Sequence, residues 1–190
     1  MKKYEFTGKT IEINGKTLKQ IKRLSSFAGG CDIVGGYIES ESNLSHEGNC
    51  FVYDNAQVYD NAQVSGDAEV YGDAIVCGNA VVLGNAVVLE NAVVYGNAVV
   101  SGDAEVYGKA QVCGFARVLG NAVVLGNAVV YDDAQVTENE SKQEHLEYFL
   151  AIKHTASLLT KEVNDRLASG WKLHGTTQTM PNIYSQALIR

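Results

Sequence analysis

No stretch of this 190-residue chain is apolar for long enough to span a membrane, and its Lys-rich but polar start is not a signal peptide. Those absences read as a soluble, cytosolic protein with no membrane partner. Positive charge is scarce too: residues 51–137 hold ten acids against two bases, Lys109 and Arg117, and the chain carries −7 overall. Such a surface repels nucleic acid phosphates. The four cysteines show no Cys-x-x-Cys spacing, and there is no Ser-His-Asp, Gly-x-Ser-x-Gly or phosphate-binding pattern. Histidine is missing from residues 51–137. His46, His145, His154 and His174 lie outside that stretch, and no three of them have zinc-like spacing on one element. No metal or cofactor is expected.

What residues 51–137 do contain is one six-residue phrase, repeated without insertion. Val recurs at every sixth position from Val52 to Val136 and Ala from Ala56 to Ala134, a self-similarity that marks a solenoid. Ala and the next Val lie two apart, so in an extended strand both face the core and the residue between them faces out. Pairs such as Asp54-Asn55, Gly66-Asp67 and Gly84-Asn85 tolerate the left-handed backbone of a sharp corner. Each hexad is therefore one short strand and one corner. Residues 65–100 and 101–136 align with 28 identities over 36 positions, and six hexads suit two triangular coils rising ~4.8 Å each. The repeat then makes about five coils, in which Cys77 and Cys113 lie ~10 Å apart, beyond the ~7 Å that a disulfide bridges.

Before the repeat, residues 3–6, 10–13 and 18–24 read as strands with a hairpin signal at Asn14-Gly15, although the third stretch also fits a helix. The expected role is to cap the solenoid end. Lys16, Lys19, Lys22 and Arg23 make the segment basic, either as a solvated strand face or as a patch for an acidic partner. After the repeat, residues 138–143 read as a linker and 144–190 as a small α+β domain with βαββ order. Its strands are expected at 148–152, 171–175 and 184–189 and its helix at 156–168, with Thr155 as cap and Gly170 as stop. The domains are thus 1–50, 51–137 and 144–190, with 138–143 between.

The hexad resembles the repeat of left-handed parallel β-helix proteins, which combine an aliphatic residue, a Gly/Asn/Asp corner and a small inward residue. Left-handedness is implied by this resemblance alone, since crossovers are normally right-handed. The lead-in, Gly35-Gly36-Tyr37-Ile38-Glu39-Ser40-Glu41 with Asn43 to Cys50, resembles hexapeptide-repeat proteins of bacteriophages and prophages. Val163-Asn164-Asp165, Gly170-Trp171-Lys172-Leu173-His174-Gly175 and Gln186-Ala187-Leu188 resemble a small bacterial domain. Some left-handed β-helix proteins are zinc carbonic anhydrases, with three metal-binding histidines. Others are CoA-dependent acyltransferases, which use a His base at a groove between subunits. His46 is the one residue here that fits the second role, but the hexad phase puts it at an inward Val position, where a cap histidine is expected.

The surface offers more. Ile75, Val81, Val87, Val93, Val99, Val123 and Val129 occupy outward positions, and stacking by 18 gives columns such as Gln57-Ile75-Val93-Gln111-Val129 and Gln63-Val81-Val99-Arg117-Gln135. Apolar columns on an outer face signal an interface. A parallel homotrimer, the usual association of the resembled family, would bury them; a C-terminal domain folded back along the prism competes. Between the two long copies, Asp73 becomes Lys109, Ile75 becomes Gln111, Asn79 becomes Phe115 and Val81 becomes Arg117. Drift explains these changes, or they make a pocket where Lys109 and Arg117 meet an anion while Phe115, Tyr95, Tyr107 or Tyr131 stacks on a ring. The reading is a non-catalytic binding protein of a phage or prophage, taking a host protein or a small nucleotide-like anion, with the acyltransferase as alternative.

Overall fold

Alternation of Ala and Val with outward residues, punctuated every six positions by a corner, folds this chain into a mainly β solenoid. The computed structural model describes residues 2–24, 33–137, 148–153, 172–180 and 183–189. The chain forms two compact units, Met1–Glu140 and Ser141–Arg190.

In the first unit, strands β1 (Tyr4–Ile13), β2 (Lys16–Arg23) and β3 (Ile33–Ile38) lead into fifteen two-residue strands, from β4 (Phe51–Val52) to β18 (Gln135–Val136). These stack in three parallel sheets, here faces A, B and C. Each strand pairs with those 18 residues away, as Val93 does with Ile75 and Gln111. Every repeat Ala from Ala56 to Ala122 and every repeat Val from Val52 to Val118 is fully or almost fully buried, so the core is one column of small and branched side chains. Corners turn on left-handed residues, among them Gly66 at φ 71° and Asp60 at φ 60°. A Cβ on Gly66 would also lie 3.0 Å from the backbone of Gly84 in the next coil.

The five regular coils are preceded by an irregular turn, giving about six in all. Tyr37 and Ile38 of β3 pair with Gln57 and Val58 on face A, and Leu44 bridges to Val64 on face B. Both spacings are 20 rather than 18, because the corner that precedes Gly48 holds two extra residues, His46 and Glu47. Leu44, not His46, therefore takes the inward position. The phase expected for His46 is wrong for this reason.

β1 is a single strand with an irregularity between Phe6 and Thr10 where two strands are expected, and Asn14-Gly15 turns it into β2 at φ 51° and 77°. β2 is a strand, so the helical alternative falls. The hairpin adds antiparallel to β3 and extends face A to eight strands. Along the coils, the N–H of an earlier coil donates to a later carbonyl, as Gln57 N–H does to Ala74 O at 2.9 Å and Tyr59 N–H to Val76 O at 3.1 Å. The first turn consequently presents carbonyls, and donors from the hairpin region meet them. Tyr4 Oη donates to Leu44 O at 2.9 Å, Lys3 Nζ to Gly48 O at 3.2 Å and Arg23 Nη2 to Asn49 O at 3.0 Å.

The basic residues of the hairpin are engaged internally. Lys16 binds Glu39 at 3.0 Å and Asp60 at 2.8 Å, Lys22 binds Glu5 at 2.9 Å, and Lys19 lies 5.2 Å from the Phe6 ring centre. Asp60, then Glu39, pushes the Lys16 ammonium's pKa up.

In the second unit, β19 (Tyr148–Lys153), β20 (Lys172–Met180) and β21 (Ile183–Ile189) form an antiparallel sheet in the order β19-β21-β20. The helix expected at 156–168 lies outside the described residues.

Candidate interaction face

The two positions flanking each inward Val point outwards, so each face carries two side-chain columns. On face A these are Gln57-Ile75-Val93-Gln111-Val129 and Tyr59-Cys77-Tyr95-Cys113-Tyr131. None of the ten is charged. Face B carries Val81 and Val99 but also Arg117, and face C alternates acid and aliphatic in the order Glu69-Val87-Glu105-Val123. The seven residues expected at an interface are thus spread over three faces, with Ile75, Val93 and Val129 on A, Val81 and Val99 on B, and Val87 and Val123 on C.

Face A also belongs to the longest sheet, because the hairpin prolongs it to eight strands. Leu18, Tyr37 and Tyr59 form a second buried cluster on its outer side, and Ile11, Ile13, Ile75 and Cys77 pack against them. Farther along, exposure rises to 37 % at Tyr95 and 43 % at Val129. The sequence signal for the extension is the alternation Ile11-Glu12-Ile13, which reads as a strand without revealing that its apolar side continues the solenoid wall.

Burial, then Cys77, raises the pKa of the Tyr59 phenol to about 12, and burial raises that of the Cys77 thiol. The Cys113 side chain is the main cause of the upward shift at Tyr95. All three groups are neutral at physiological pH, which leaves the ten coil positions of face A without charge.

The residues expected to bind an anion do not converge. Tyr95 and Tyr131 lie on face A beside the A/B corner, and Phe115 occupies that corner, 63 % exposed. There it ends an amide ladder in which Asn61 Nδ2 donates to Asn79 Oδ1 at 3.0 Å and Asn79 Nδ2 to Asn97 Oδ1 at 2.9 Å. Arg117 follows on face B. Lys109 sits at the opposite edge of face A, in the C/A corner, and Tyr107 precedes it on face C. Proximity along the chain misleads here because each hexad turns a corner. The seven residues between Lys109 and Arg117 carry the chain across a whole face.

His46 is an anchor of the N-terminal strand. Its ring stacks on Tyr4 with centroids 4.3 Å apart, Nδ1 accepts the Lys3 backbone N–H at 3.3 Å, and Nε2 is buried without a partner among the described residues. Burial, more than the nearby Lys2 and Lys3 charges, depresses its pKa, while Glu41 opposes the shift. A depressed basic group is bound by more protons unfolded than folded, so its contribution to stability is complete above the unfolded value of 6.5 and is lost as pH falls below it. The melting temperature should therefore decline between pH 7 and pH 5, and His46→Gln, which keeps an acceptor but does not titrate, should flatten that decline. An unchanged slope in the variant would reject His46 as the group responsible. His145 and His154 lie outside the described residues, as does Cys31.

No helix among the described residues is long and apolar enough to cross a membrane. Residues 56–72 and 62–78 match the family model of the YdcK beta solenoid repeat. No curated protein matches the chain. The repeat is accordingly similar in sequence to a known β-solenoid repeat, in agreement with the stacked parallel strands that it forms.

Proposed function

We propose that this is a non-catalytic binding protein that assembles as a homotrimer through the outward aliphatic columns of its solenoid and captures a protein partner. The observation that carries this reading is face A: ten outward positions without a charge, on a chain whose net charge is −7. Like-charged chains associate where their surfaces are neutral and apolar. The lead-in's resemblance to phage and prophage hexapeptide proteins makes a host protein in the cytoplasm the partner of choice. A small anionic ligand is less well supported, since Arg117 and Phe115 would have to hold it without Lys109.

His46 does not support an acyltransferase, because its Nδ1 is occupied by the Lys3 backbone and its Nε2 is buried. Native mass spectrometry of protein purified from cells should show three chains, with a bound protein in a fraction of the particles and no turnover of acetyl-CoA with amines or alcohols. Acetyl-CoA turnover that disappears in His46→Ala would overturn the binding reading.

A further inference from the structure

Lys3 is fully buried, yet it makes no ion pair with a carboxylate among the described residues. Its ammonium donates to Glu47 O at 3.4 Å, Gly48 O at 3.2 Å and the sulfur of Cys50 at 3.1 Å. Burying a cation without an anion is costly, and an apolar side chain would fill the space more cheaply. Cys50 is unusual as well. It stands, fully buried, at the inward position that Ala fills in every later hexad. Two departures from the cheapest residue thus meet within bonding reach, an amine nucleophile against a thiol.

We propose that Lys3 and Cys50 form an oxidant-induced covalent cross-link that fastens β1 to the first turn of the solenoid. A hydroperoxide such as hydrogen peroxide oxidises the Cys50 thiol: its O–O bond breaks, an S–O bond forms, and one water leaves, giving the sulfenic acid. The Lys3 amine, in its neutral form, then attacks the sulfur. An S–N bond forms, the S–O bond breaks, and the departing hydroxyl takes the amine's proton as a second water. The net reaction joins thiol and amine at the expense of one peroxide, with loss of two hydrogens from the protein.

The geometry favours this outcome over further oxidation. With the amine held in place, the second step is intramolecular, and both groups are sealed from bulk solvent, so a second peroxide arrives only when the cap opens. Ser45 O, Glu47 O and Val64 O surround the sulfur at 3.5, 3.7 and 3.6 Å, confining it beside the amine. The link would close a loop from residue 3 to residue 50 and make the cap's attachment respond to oxidants.

The test is to treat the full-length protein with hydrogen peroxide, block remaining thiols by alkylation, and map proteolytic peptides by mass. A peptide pair joined through Lys3 and Cys50, about 2 Da lighter than its separate parts and released by a thiol reductant, is expected. Lys3→Arg keeps the cation and its carbonyl contacts but should lose the cross-link entirely, as should Cys50→Ala, which restores the repeat residue. Mapping the wild type alone decides the matter if either variant folds poorly. Cys50 found as a free thiol, or carrying only added oxygens while Lys3 stays unlinked, would overturn the proposal.

Discussion

Light scattering is expected to return the mass of three chains for the wild type and of one chain for Val93→Lys. Val93 lies at the middle of face A, between Ile75 and Gln111 on the neighbouring coils, with its side chain outwards and half-buried. In the isolated chain a lysine there extends into water, and the cost to folding stays within about 0.5 kcal/mol. In the assembly the same ammonium is buried against the outward aliphatic column of a neighbouring chain. An unpaired buried charge costs roughly 3 to 5 kcal/mol, which is about a hundred- to several-thousand-fold in a dissociation constant. A threefold assembly joins two different patches of each chain. Lysine at Val99 on face B and at Val87 on face C should therefore not behave alike, one dissociating the trimer as Val93→Lys does and the other leaving it intact. A wild-type mass of one chain, or three variants that all remain trimeric, would remove the solenoid faces as the interface.

The difference between what the sequence shows and what it hides follows from the range of the signals. A hexad repeated fourteen times states its own register, and the 18-residue stacking makes every outward column readable, including the neutral face A. The cap is harder because nothing in it repeats. Two residues inserted at His46-Glu47 shift the phase of everything before them, so extrapolating the hexad backwards points His46 into the core, where Leu44 lies instead. Residues 3–6 and 10–13 read as two strands but form one, with Gly8 at φ 91° in the irregular stretch between Phe6 and Thr10. The pairing of Lys3 with Cys50 spans 47 positions and leaves no local pattern. For the anion site the obstacle is geometric: Lys109 is a neighbour of Phe115 and Arg117 in sequence, and the corners of a triangular coil set it at the opposite edge of face A.

The cap's hold on the solenoid predicts that Phe51→Ala is the costliest truncation in the first unit, at about 3 to 5 kcal/mol. By hexad phase Phe51 is an outward residue, paired with Glu69 on face C, and an outward truncation would ordinarily be nearly silent. The lead-in instead covers it completely. Its ring meets Tyr53 edge-on at 4.9 Å and lies 5.3 Å from the Arg23 guanidinium. Gly35 runs so close that a Cβ there would fall 2.7 Å from a ring carbon. Removing the ring leaves a cavity that neither a glycine nor a hydrogen-bonded coil can collapse to fill, and it takes from Arg23 its aromatic neighbour, worth about 0.5 to 2 kcal/mol more. Val94→Ala, at a regular inward position of the third coil, loses only two methyl groups and should cost about 1 to 3 kcal/mol. Urea unfolding of the two variants separates the effects. Phe51→Ala should have the lower midpoint and should raise hydrogen exchange first at the amides of β1 and β2, whereas Val94→Ala should leave those amides protected up to the global transition. If Phe51→Ala proves the milder change, the ring is not what binds the lead-in to the coils, and the contacts of Tyr4, Lys3 and Arg23 with the first-turn carbonyls must hold it without help.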